Sequence, residues 1–223
     1  MSMLLVPYYE HPSIRPAEWE AVIAAAPLLH GVVLNPASGP GDRPDPAFAA
    51  VAERLRAAGV RVLGYTDTAY GNRPHAQVVG DLERHREWYG VEGAFLDQTA
   101  AGPDEFPYYQ RLASAAWAAG CGHLVLNPGV PAHPWYARIA DVLVTFEGTW
   151  DTYRRPAPPY GGSATRQCHL VYEVPAEADT AVTELARARG AVVHCAVPGT
   201  GAHPWGTLPH ALSPHRHPVR PAR

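Results

Sequence analysis

Gly93-Ala94-Phe95-Leu96-Asp97-Gln98 and Asp141-Val142-Leu143-Val144-Thr145-Phe146-Glu147-Gly148 each run apolar and then stop on a carboxylate. An apolar run of this length reads as a buried strand. An acid at the point where such a strand leaves the core reads as chemistry on the rim of a barrel. Two such acids on two different strands suggest a pair of carboxylates working on one bond.

Working outward from these two segments, apolar runs alternate with helix-like segments along most of the chain. Strands are expected near 3–8, 31–35, 61–66, 94–97, 123–127, 141–147, 169–173 and 191–196. Helices are expected near 16–25, 46–58, 75–88, 104–119 and 177–189, with a short one near 134–139. Pro16 suits a first helical position, and Gly59 suits a helix stop. Strands separated by helices make a parallel sheet with crossovers, and eight is the number at which that sheet closes into a (β/α)8 TIM-type barrel. The rival is an open doubly wound sheet, which the absence of a GxGxxG turn after the first strand weakens. Residues 1–200 are read as one compact barrel domain with a degenerate last helix. Residues 201–223 are read as a Pro-, His- and Arg-rich tail that packs partly through Trp205 and Leu208 and then becomes disordered. His215-Arg216-His217 in this tail is read as an incidental surface pair.

Composition narrows the chemistry. A chain of 223 residues suits one barrel of roughly 200–250 residues. A formal charge of -3 gives no general attraction to nucleic acid or an anionic membrane. No stretch approaches the roughly 20 apolar residues of a membrane span. Met1-Ser2-Met3 runs directly into Leu4-Leu5-Val6-Pro7-Tyr8, too short a core for a secretory signal, so the sequence as it stands predicts a cytoplasmic protein. A leader removed beforehand would make it a secreted one. All 18 basic residues are arginine. Schiff-base chemistry on lysine and a Walker A phosphate loop are therefore excluded. Cys121, Cys168 and Cys195 show no CxxC spacing and read as small buried thiols, so no metal is expected.

In such a barrel the active site lies at the carboxyl ends of the strands. The rim read this way holds Tyr8, Tyr9, Glu10, Asn35, Tyr65, Asp67, Asp97, Gln98, Asn127, Glu147, Trp150, Tyr172, Glu173 and His194. Aromatics, amides and acids dominate, which suits a neutral or cationic polyhydroxylated ligand. Asp97 and Glu147 are the catalytic candidates; Tyr8, Asn35, Tyr65, Asp67, Gln98, Asn127 and Trp150 are the substrate-binding candidates. Strands four and six are both even-numbered, so their inward residues share a layer and the two acids can face one another. Side-chain alternation places Phe95 inward with Asp97, and Thr145 and Leu143 inward with Glu147. Each acid also has a simpler reading, Asp97 as a helix or turn cap and Glu147 as a solvated loop acid. Val33-Leu34-Asn35-Pro36 and Val125-Leu126-Asn127-Pro128 repeat one solution, an Asn at a strand end and then a Pro that blocks further pairing.

These residues resemble the spherulation-specific family 4, or spherulin-4-like, proteins. The matching elements are Leu5-Val6-Pro7-Tyr8-Tyr9, Val33-Leu34-Asn35-Pro36 with Gly39-Pro40-Gly41, Val62-Leu63-Gly64-Tyr65-Thr66, Trp88-Tyr89-Gly90-Val91, Gly93-Ala94-Phe95-Leu96-Asp97, Leu126-Asn127-Pro128-Gly129 and Phe146-Glu147. The resemblance implies an α/β barrel related to fungal glycoside hydrolases that cut galactosaminogalactan, the endo-α-1,4-N-acetylgalactosaminidases. The family's strand-four motif is an Asp followed by Glu, with a further Glu at the end of a later strand. The Asp falls on Asp97 and the later Glu on Glu147, whereas the second acid of the pair is Gln98 here. The expectation is a hydrolase of an amino-sugar-containing glycan that needs no cofactor. The alternatives are a non-catalytic sugar-binding barrel, favoured by Gln98, and a metal-dependent hydrolase, which would want a His-x-His where this chain has Tyr8-Tyr9-Glu10-His11.

Overall fold

The computed structural model describes residues 3–156 and 166–213. Eight strands pair in chain order, all parallel, and the last closes on the first. They are β1 (Met3–Pro7), β2 (Leu29–Leu34), β3 (Val62–Asp67), β4 (Gly93–Asp97), β5 (His123–Leu126), β6 (Val142–Thr149), β7 (Arg166–Tyr172) and β8 (Ala191–Ala196). The main crossovers are α1 (Pro16–Ala24), α2 (Pro46–Ala57), α3 (His75–Tyr89), α4 (Phe106–Ala118) and α6 (Asp179–Ala188), with a short α5 (Trp150–Tyr153) after β6. The chain is a (β/α)8 barrel. The β5–β6 crossover is only a 3-10 turn, Pro134–Arg138. Two 3-10 turns, Pro204–Gly206 and His210–Leu212, stand where an eighth helix would be, and Trp205, Leu208 and Leu212 in this segment are buried. The His215-Arg216-His217 pair and the expected disorder of the tail lie outside the described residues.

Local chemistry sets the helix ends. Asp45 precedes α2, and its carboxylate accepts from the Ala47 and Phe48 N–H groups at 2.8 and 3.3 Å. It satisfies donors that have no partner in a first turn, while Pro46 follows it without a donor to lose. Gly90 closes α3 at φ 62°, a conformation glycine adopts without a Cβ penalty.

Two apolar layers hold the barrel. The interior packs Leu5, Val33, Leu63, Phe95, Val125, Val142, Val144, Cys168, Leu170 and Cys195 against one another. The outer layer packs the alternate residues against the helices: Ala94 and Leu96 meet Leu112, Ala113 and Ala116 of α4. Each fully buried Val or Leu side chain contributes about 1.5–3 kcal/mol through removal from water.

Alternation holds on β4 and fails on β6. Val144 pairs with Cys168, but Phe146 pairs with His169, so Thr145 is an extra residue in the ladder. This bulge reverses the parity of the strand. Before it Val142 and Val144 point inward and Leu143 faces the helices; after it Phe146 packs outward with Tyr153. The inward placement expected for Leu143 from Glu147 is thus corrected: the bulge is what brings Glu147 round to the barrel axis.

Candidate active site

At the carboxyl ends of the strands Asp97 and Glu147 meet through a single amide. Asn127, just past β5, donates from Nδ2 to Asp97 Oδ1 at 2.7 Å and to Glu147 Oε2 at 2.6 Å. Two oxygens bonded to one nitrogen cannot be farther apart than those two bonds together, about 5.3 Å. The outer oxygens are held as well. The Tyr65 hydroxyl donates to Asp97 Oδ2 at 2.8 Å, and the Trp205 indole N–H donates to Glu147 Oε1 at 3.1 Å. Every carboxylate oxygen of the pair therefore has its own donor, and both acids are presented in one fixed orientation.

Burial raises the pKa of both groups. For Asp97 the loss of water is the largest influence, opposed by the donors Tyr65, Gln98 N–H and Asn127. For Glu147 burial again comes first, then the Asn127 bond that lowers it and the Asp97 charge that raises it further. A carboxyl group shifted upward keeps its proton to higher pH than a free one, which suits an acid catalyst.

The cleft above the pair has two lobes that share Asp97, Gln98 and Glu147. The larger, of about 720 Å³, is walled by Tyr9, Asn35, Tyr65, Tyr172 and Trp205. The smaller, of about 330 Å³, is walled by Tyr70, Asn127, Pro128 and Val130. Among the described residues lining either lobe there is no arginine, and His203 is the one basic side chain. Among these described residues an anionic substrate would find no counter-charge beyond that imidazole. The segment after β8 forms one wall. The Tyr9 N–H donates to the Trp205 carbonyl at 3.0 Å, and Gly206 lies so close to Glu10 that a Cβ there would sit 2.9 Å from Oε1.

The candidates read from sequence fall into two sets. Asp97, Glu147, Asn127, Tyr65, Gln98 and Asn35 line the cleft together. Asn35 also accepts from the Gly39 N–H at 2.8 Å, so the two Asn-Pro repeats do different work: one holds a turn, the other holds the acids. Tyr8 does not reach the cleft. It is 1% exposed and packs on Trp19 beneath the helices, and the next residue, Tyr9, takes the inward place. The cause is alternation itself: Leu5 points inward and Val6 outward, so Tyr8 follows Val6. Trp150 packs on Tyr153 in the outer layer and lines neither lobe. Asp67, expected to bind substrate, lines neither lobe; its carboxylate accepts from the Ala69 N–H at 2.6 Å in a turn. His194 bonds Thr183 of α6 at 3.1 Å on the helix side. Trp205 and Tyr70 were not singled out for the site from the sequence. Trp205 comes from a segment without periodicity, and Tyr70 from a short turn.

A closed eight-stranded barrel with two carboxylates held by one amide at its mouth defines a class of α/β-barrel proteins. The chain belongs to spherulation-specific family 4, whose sequence profile matches residues 3–210. It is 35% identical over 149 residues to spherulin-4 of Physarum polycephalum, covering 65% of this chain and 44% of that protein, so it spans less than half the length of this curated relative. It is also similar to Aspergillus clavatus Sph3, a structure solved in complex with GalNAc, at a TM-score of 0.80 and 25% identity over 95% of this chain and 94% of that one. The tryptophan synthase α-subunit of Pyrococcus furiosus shares the fold alone, at a TM-score of 0.53 and 18% identity over 87% of this chain and 86% of its own.

Proposed function

We propose that the protein is a glycoside hydrolase acting on an amino-sugar-containing polysaccharide or oligosaccharide of the galactosaminogalactan type. The observation that carries this reading is the Asn127 bridge, which holds two part-buried carboxylates within reach of one bond. The likeness to Sph3, solved with GalNAc, supports the amino-sugar class. Glu147 serves as general acid, giving its proton to the leaving glycosidic oxygen. Its raised pKa fits that task. Asp97 forms the bond to the anomeric carbon, or stabilises an oxocarbenium-like or acetamido-derived intermediate there. Glu147, now ionised, then takes a proton from the water that releases the product. The near oxygens of the pair lie within about 5.3 Å of each other, which favours the close-set arrangement of a retaining pair over the roughly 6.5–9.5 Å that an inverting water needs. This chemistry calls for no cofactor.

A second reading is a non-catalytic carbohydrate-binding barrel. Gln98 favours it, because it stands in both lobes where the family motif carries an acid, and an amide cannot donate a catalytic proton. A screen of acetylated and de-N-acetylated galactosamine and glucosamine polymers separates the two. Oligosaccharide release by the native protein, lost in Asp97→Asn and Glu147→Gln, supports the hydrolase. Binding by all three forms without release supports the second reading. Neither release nor binding overturns both.

A further inference from the structure

A left-handed backbone at a residue other than glycine is uncommon and costs on the order of 1 kcal/mol or more. Among the described residues it occurs at Ser38, Ala69, Tyr70, Gln98 and Glu173, and three of these, Ser38, Tyr70 and Gln98, line the cleft. Tyr70 stands out. It is a bulky aromatic at φ 54°, yet it is 57% exposed, so burial does not offset the strain. Its turn is held from several sides. The Tyr70 N–H donates to the Gln98 carbonyl at 2.7 Å, and Thr68 Oγ1 donates to the same carbonyl at 2.8 Å. The Asp67 carboxylate fixes the Ala69 N–H at 2.6 Å. The loop after β3 is thus clasped to the loop after β4, and the clasp keeps the Tyr70 ring at the edge of the smaller lobe.

That lobe has the chemistry of a sugar seat. Tyr70 supplies an aromatic face, Pro128 and Val130 supply aliphatic surface, and Gln98 supplies an amide for hydroxyl groups. Val130 is itself half exposed. The lobe meets the larger one at Asp97 and Glu147, so the acids stand on the divide between two seats.

We propose that the smaller lobe is a second sugar subsite, with Tyr70 as its stacking platform, so that two neighbouring units of one glycan occupy the two lobes and their linkage crosses the acids. This rests on the carbohydrate reading above and adds where the second unit sits and which side chain selects it.

The test is a calorimetric length series of N-acetylgalactosamine oligosaccharides, from mono- to tetrasaccharide. It uses Glu147→Gln protein, in which hydrolysis does not intrude, with Tyr70, Tyr70→Phe or Tyr70→Ala. In the Tyr70 and Tyr70→Phe forms affinity should rise with length. In Tyr70→Ala the gain on lengthening should fall by about tenfold, the order set by one aromatic face, while monosaccharide affinity stays the same. The proposal is overturned if Tyr70→Ala keeps the full gain, if it loses monosaccharide affinity equally, or if no form binds longer chains more tightly. A native protein that shows this length profile but never releases product would sink the hydrolase reading and leave the subsite standing.

Discussion

A carboxamide nitrogen carries two hydrogens, and at Asn127 both go to carboxylates. The bridge orients the acids, and it favours their ionised forms against a burial that opposes ionisation. Asn127→Ala removes both effects. Bonds to a charged group contribute about 1.5–3 kcal/mol each, so the limb of the pH–rate profile that follows the ionised member should move up by about one pH unit, with kcat down about 100-fold. Trp205→Phe removes one donor from Glu147 alone and should move the profile in the same direction by less. Unchanged profiles in both variants would refute the positioning role of these donors. Asp97 gives a second test with a worked sign. Its folded pKa lies above its unfolded value, so the folded protein binds the extra proton and stability falls as pH rises through that interval. Asp97→Asn cannot ionise, and its amide can still accept from Asn127 and donate to Tyr65. It should match the native protein at low pH and exceed it in stability at pH 7, as thermal melts at the two pH values would show, while losing turnover. A variant less stable at pH 7 than at pH 4.5, relative to native, would contradict the burial argument.

Elements place these residues. His85 of α3 lies on the bare backbone of Gly64 in β3, and its Nε2 meets the Tyr65 carbonyl at 2.7 Å. Tyr65 then turns its hydroxyl to Asp97. A Cβ on Gly64 would sit 2.5 Å from the His85 ring, so Gly64→Ala must push α3 away. A loss of about 2 kcal/mol in urea unfolding is expected, with activity falling further than stability because Tyr65 shifts too. A near-neutral Gly64→Ala would show that the helix gives way freely. The same elements mark what was legible in the sequence. The eight strands were, because each is an apolar run of about the right length between breakers, and the acids were, because they end two such runs. The bulge at Thr145 was not: nothing in Val142-Leu143-Val144-Thr145-Phe146 announces an extra residue, and strict alternation back from Glu147 turns Leu143 the wrong way. Tyr8 was open to correction, since the same alternation started from Val6 sends it outward. Trp205 was hidden because its position depends on a long-range backbone bond to Tyr9 rather than on local periodicity.

At the scale of the whole molecule, acid stability is set by histidines that the cleft does not use. His30, His85, His123, His169 and His194 are buried, and burial pushes each down to about 4. His30 and His123 also face each other, Nε2 to Nε2, at 3.1 Å, an arrangement that needs one imidazole to accept and repels two charges. The sign follows from the shift. Between about 4 and 6.5 the unfolded chain binds protons that the folded barrel refuses, so stability is complete above about 6.5 and is lost as pH falls toward 4. Each such histidine contributes up to about 1.4 kcal/mol per pH unit, so several together weigh heavily against a total stability of about 5–15 kcal/mol. Asp97 and Glu147 act in the opposite sense, gaining stability as they protonate, but two groups do not outweigh five. The barrel should therefore hold a level Tm from pH 8 to about 6.5 and lose Tm progressively as pH falls below that, which a series of thermal melts from pH 8 to 4.5 would show. A Tm that stays level down to pH 4.5 would mean that these imidazoles are charged in the folded protein, and the burial argument would be wrong.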